Sequence, residues 1–129
     1  MSTRSQHGEF CWNELMTDNV PQAKDFYAKL LGWTYEDHTM EDGMVYTMIC
    51  CREKKVGGLL QTPEGKGTIP PHWTSYISVD NLDATVEKAQ TLGAKITVPA
   101  RSAGEDGQFA VLQDPTGAYI ALWQCSKPC

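Results

Sequence analysis

The side chains with the widest chemical repertoire in this chain are three histidines, five cysteines and one carboxylate in an otherwise apolar stretch. His7, His38 and His72 are scattered, and no two have a ligand spacing such as H-x-x-x-H. His7 is expected in a frayed terminus, His38 near a strand end and His72 at the close of a Pro/Gly-rich segment, all exposed to solvent. Cys11, Cys50, Cys51, Cys125 and Cys129 form no C-x-x-C, and an odd count speaks for reduced thiols over a disulfide framework. Cys50 and Cys51 are adjacent, so on a strand they point to opposite faces and cannot share a zinc ion. Cys11 could act as a nucleophile only with a base beside it, and His72 is the one distant candidate. An inert, buried thiol is the expectation there. Glu14 lies between Asn13 and Leu15, and an unpaired carboxylate on a buried face is costly. It pairs with a cation, sits at a subunit contact, or reaches an open face through a bulge, where it would be the best general base in the chain.

These residues must be positioned by elements, and the elements come in two similar runs. Phe10–Thr17 reads as a strand, and Asp18 or Asn19 with Pro21 opens a helix. Val20, Ala23, Phe26, Tyr27, Leu30 and Leu31 recur at helical spacing until Gly32. Strands follow at residues 33–38, 44–51 and 56–61. Pro63, Gly65, Gly67, Pro70 and Pro71 mark a linker, residues 63–71. Then the order restarts: a strand over 73–79, a helical stripe of Leu82, Val86, Ala89 and Leu92 stopped at Gly93, and strands at 95–98, 109–113 and 119–124. The predicted class is α+β, two βαβββ modules in one chain: module one at 8–62, module two at 72–125, and a short tail at 126–129. An overlay placing Asp18 on Asn81, Leu59 on Leu122 and Gln61 on Gln124 supports the repeat.

The composition narrows the classes of function. The chain has 129 residues, 41% of them hydrophobic, and a formal charge of -5. That balance gives one globular domain and no basic face for a nucleic acid. No apolar run reaches membrane-span length, and the N-terminus has no signal-like stretch. A cytoplasmic protein is expected, with no membrane partner.

The element order, with Phe26-Tyr27 and Leu31-Gly32-Trp33 around the first helix and Asp114-Pro115-Thr116-Gly117 before the last strand, resembles the vicinal-oxygen-chelate superfamily. That group includes glyoxalase I, bleomycin-resistance proteins, fosfomycin-resistance enzymes and extradiol dioxygenases. The resemblance spans about residues 8–125. It implies a curved, barrel-like mixed sheet around a central cavity, and pairing of chains as a homodimer. It is far less specific for activity, since one scaffold carries many chemistries.

Metal-dependent members are similar in placing one ligand near the start of each module's first strand, seven residues before the Asp or Asn that ends it, and a second on its last strand. Those positions are Cys11, Thr74, Gly58 and Ala121 here, and none is His, Glu or Gln. The resemblance therefore implies a member without a metal centre, and no cofactor is expected.

Strand alternation supplies a ligand-binding set instead. Thr74, Tyr76 and Ser78 share one face of their strand, opposite the more apolar Ile77 and Val79. The overlay then carries Cys11, Asn13 and Leu15 onto the same open face and Glu14 onto the helix side with Trp12 and Met16. Gly58, Leu60, Ala121 and Trp123 add an apolar wall, with Gly58 and Ala121 leaving room. Trp12, Trp33, Trp73, Tyr76 and Trp123 could stack on a planar or cationic ligand, although most are expected in the core. Cys11, Asn13, Gly58, Leu60, Thr74, Tyr76, Ala121 and Trp123 are thus the expected contacts of a small-molecule ligand. The leading function is a metal-free binding protein of the glyoxalase/bleomycin-resistance type. The alternatives are a glyoxalase-type lyase or isomerase with Glu14, Cys11 or Tyr76 as catalytic groups, and a protein-interaction subunit.

Overall fold

The structure, a computed structural model, describes residues 6–40, 43–62 and 70–126. The expected linker at 63–71 and the tail at 126–129 fall largely outside that range. Two successive βαβββ runs are present: β1 (Phe10–Thr17), α1 (Val20–Leu31), β2 (Thr34–Thr39), β3 (Val45–Cys51) and β4 (Lys54–Gln61), then β5 (His72–Ser78), α2 (Leu82–Thr91), β6 (Lys95–Ser102), β7 (Gly107–Gln113) and β8 (Tyr119–Cys125). The α+β class and its two modules are as the sequence predicts.

Both helices begin on an asparagine. The Asn19 side chain accepts a hydrogen bond from the Gln22 N–H at 3.1 Å, and Asn81 accepts from the Ala84 N–H at 3.1 Å. Each satisfies one of the amides that a helix start leaves without a partner. Pro21 sits in the first turn of α1, where no amide is needed, and Gly32 ends the helix in the left-handed region at φ 76. Before β8, the Asp114 carboxylate accepts from the Thr116 and Ala118 amides and the Thr116 hydroxyl, which fixes the turn.

The chain divides into two compact units, residues 12–74 and residues 6–11 with 75–126. In the first, strand order is β2-β3-β4-β1, with β1 parallel to β4 and the others antiparallel. Its core is Leu15, Ile49 and Leu59, packed against Val20, Ala23 and Tyr27 of α1. In the second, the order is β5-β8-β7-β6, again with a parallel pair, β5 and β8. Val79, Leu82, Ala110, Leu112 and Leu122 pack there with Val86 and Ala89 of α2. Pro99 lies within the outermost strand β6, where a missing amide is tolerated and the register to β7 is broken on both sides of Val98.

One expectation is reversed. Leu15 points into the core under α1, not onto the open face, so alternation places Asn13 and Thr17 with it and Trp12, Glu14 and Met16 on the face opposite α1. The reason lies in the caps. Asn19, not Asp18, is equivalent to Asn81, so the first strands of the two modules align one residue away from the overlay read from the last strands. The ladders agree: Glu14 is registered with Gly58 and Leu15 with Leu59, while Tyr76 is registered with Ala121 and Ile77 with Leu122. Glu14 is thus the equivalent of Tyr76, and Trp12 that of Thr74.

Cys11, Cys50 and Cys51 are free, but Cys125 is disulfide-bonded, so the reading of all thiols as reduced does not hold for it. Nor is His7 frayed: its Nδ1 accepts from the Asp80 amide at 3.1 Å.

Candidate functional site

In the unit of residues 12–74, aromatic and titratable side chains gather on the sheet face opposite α1. Tyr46 and Met48 alternate with Thr47 and Ile49, which are buried on the helix side. Gly58 and Leu60 flank Leu59 in the same way, and Glu36 and His38 flank Asp37, which pairs with Lys24 of α1. Trp12 confirms the assignment directly, because its indole N–H donates to the Tyr46 hydroxyl at 2.8 Å. The phenol lies over Gly58, and a Cβ there would collide with the ring and hydroxyl of Tyr46. The absent side chain at Gly58 therefore makes room for Tyr46 and not for a ligand, which corrects the reading of that position as open space. Its neighbour Gly57 serves a different need: a Cβ there would come within 2.7 Å of the Asn13 carbonyl oxygen where β4 passes β1.

Glu14, in register with Gly58, is partly buried on this same face. Further out, His38 is paired across the ladder with Tyr46, and its Nε2 lies 3.5 Å from a Glu36 carboxylate oxygen. Lys55 approaches the same oxygen at 3.9 Å. One face thus gathers an indole, a phenol, two carboxylates, an imidazole and an ammonium group. Tyr46, Glu36 and Lys55 were not singled out from the sequence, and His38 was expected only as an exposed residue near a strand end. The period-two pattern of residues 34–39 and 45–51 was the signal available for them.

The other expected residues divide between the units. Asn13 shares the helix side of β1, and Thr74 alternates with Trp73, which packs with Tyr27 and Trp33 on the α1 side. Those two tryptophans are packing residues, not stacking platforms on the open face. In the second unit, Tyr76 meets the edges of Phe109 and Trp123 at centroid distances of 6.5 and 6.4 Å, beside a fully buried Ala121. This face is filled by aromatic rings. Cys11 belongs to the second unit too: its thiol donates to the Tyr76 carbonyl oxygen at 3.6 Å, and burial pushes its pKa up. A thiol held in the protonated form is a poor nucleophile. His72 is exposed, its Nδ1 2.9 Å from the Pro70 carbonyl oxygen.

With the register corrected, the four positions that correspond to family metal ligands are Trp12, Thr74, Gly58 and Ala121. An indole, one hydroxyl, a hydrogen and a methyl do not make a donor set for a divalent ion. Among the described residues, no three His, Cys, Asp or Glu side chains are grouped to hold a metal. No helix among the described residues is long and apolar enough to cross a membrane.

This fold and strand register define a class, and the chain belongs to the Glyoxalase/Bleomycin resistance protein/Dioxygenase superfamily, whose family model matches residues 10–122. Among individual proteins, it is 36% identical over 131 residues to "Putative glyoxylase CFP32" of Mycobacterium tuberculosis, covering 98% of this chain and 50% of that protein. It is 28% identical over 134 residues to the anthracycline biosynthesis protein DnrV of Streptomyces peucetius, covering 95% and 49%. The chain spans about half the length of the curated relatives it matches. In fold it is similar to methylmalonyl-CoA epimerase from Mycobacterium tuberculosis, with a TM-score of 0.69, 15% identity, and 98% and 94% of the two chains covered. A hypothetical protein of Bacillus halodurans gives a TM-score of 0.71 at 13% identity, with 96% and 99% covered.

Proposed function

We propose that this protein binds a small organic molecule on the sheet face opposite α1, without a metal and as a homodimer. The observation that carries the reading is the Trp12–Tyr46 hydrogen bond over Gly58. It fixes two amphipathic rings at one face, next to the aliphatic Leu60 and Met16 and to a few polar groups. A mainly apolar lining with few polar groups suits a small-molecule site. Rings of this kind favour a planar or conjugated ligand. The relative whose name places it in anthracycline biosynthesis supports that choice of ligand class. A direct test is titration of chelator-treated protein with an anthracycline, followed by tryptophan fluorescence. Saturable quenching that weakens in Tyr46→Phe is expected, and quenching only after a divalent metal is restored would refute the reading.

A second reading, a glyoxalase-type lyase or isomerase, is favoured by the placement of Glu14 on this face and not beneath α1. A carboxylate beside a phenol can take a proton from carbon while the hydroxyl steadies the developing oxyanion. The relative named as a glyoxylase supports it. Turnover of the hemithioacetal of methylglyoxal and glutathione, abolished by Glu14→Gln, is the outcome this reading requires.

A further inference from the structure

Helix α1 is amphipathic in sequence, yet none of its residues is buried. Phe26 and Leu30 stand 55% and 60% exposed, and together with Gln22, Asp25 and Lys29 they line a shallow groove along its outer face. The apolar surface continues beyond the helix. The Phe26 ring meets Tyr27 edge-on at 4.9 Å, and Tyr27 meets the half-exposed Trp73 at 5.7 Å. Helix α2 differs: Leu82 is fully buried at its start, and its exposed Leu92 lies at the far end.

We infer that the outer face of α1 is a two-fold interface with a second copy of this chain. The charges choose the occupant. Asp25 and Lys29 are one turn apart beside Phe26 and Leu30, and in the single chain they pair with each other at 3.0 Å, both well exposed. Under a two-fold axis crossing α1 level with Tyr27, midway between Asp25 and Lys29, the helices run antiparallel, and every contact occurs twice. Asp25 then faces the partner subunit's Lys29, Lys29 faces the partner subunit's Asp25, and the Phe26 and Leu30 side chains meet in the middle. The stripe is therefore complementary to itself in charge as well as apolar. An exposed row of this kind on a helix is a recognised association surface.

The inference deepens the homodimer proposed above and is independent of ligand binding. It is tested by analytical ultracentrifugation of the full chain. Wild type should associate reversibly to a dimer. Asp25→Lys and Lys29→Asp each place like charges in opposition and should each weaken self-association by about tenfold or more. Mixed in equal amounts, the two variants should recover a dimer, because each then meets the opposite charge; recovery also shows that both are folded. Phe26→Glu should be monomeric, and Leu92→Lys should behave as wild type. A wild type that stays monomeric overturns both the interface and the homodimer. A dimer indifferent to the α1 substitutions overturns only the interface and places the contact elsewhere.

Discussion

At the scale of single residues, the side chain that ties the open face of the first unit together is Tyr46. Its hydroxyl receives the Trp12 indole N–H, and its ring occupies the volume that Gly58 leaves empty. Tyr46→Phe leaves that N–H without its acceptor and should lower stability by about 1 kcal/mol in urea denaturation. Gly58→Ala forces the phenol aside and should lower stability by about 1–3 kcal/mol. Both act through the same contact, so Gly58→Ala should be nearly neutral once Tyr46 is truncated to Ala, and a double-mutant cycle reads the coupling. Asp37 supplies a pH signature. Its carboxylate accepts from Thr47 at 2.7 Å and from Lys24 at 3.0 Å, and these bonds, the threonine first, hold its pKa below the ordinary 3.8. A depressed folded value means that the stabilisation is complete above the unfolded value and is lost as pH falls through the folded one. Asp37→Asn should therefore flatten the acid limb of the stability–pH curve below the ordinary carboxylate range and leave its shape at neutral pH unchanged.

At the scale of elements, the two asparagine caps mark the register of the first strand in each module. Asn19→Ala and Asn81→Ala should each lose about 1 kcal/mol, measured by chemical denaturation. Asp18→Ala keeps the backbone carbonyl that accepts from Gln61 and should change stability by less than about 0.5 kcal/mol. That contrast separates the true cap from its neighbour. The order of elements was legible because helix caps, Gly32 and the Asp114–Gly117 turn are local chemistry, written in adjacent residues. The face of β1 was not, because Asp18 and Asn19 are both good caps and a slip of one residue turns every side chain over. Thr74, Tyr76, Gly58 and Leu60 fell on the faces expected of them, since Ile77 and Leu59 are unambiguous core residues. Cys11 and Asn13 were carried along with Leu15 and moved with it. Tyr46 escaped notice because only the folded ladder brings it to Gly58 and Trp12.

At the scale of the whole molecule, the two modules share a plan and differ in what their open faces carry. One is filled by Tyr76, Phe109 and Trp123, and the other presents Trp12, Glu14, Tyr46, Glu36 and His38. The proposed binding face is that of β1, β3 and β4 opposite α1, taking an organic ligand without a metal. The measurement that tests it most directly is the melting temperature of chelator-treated protein across a library of small organic molecules, an anthracycline and the hemithioacetal of methylglyoxal and glutathione included. Ligands that bind there should raise the melting temperature in the presence of chelator and lose that effect in Tyr46→Phe. Stabilisation that appears only when nickel, zinc, manganese or iron is restored, or that is indifferent to Tyr46, would contradict it.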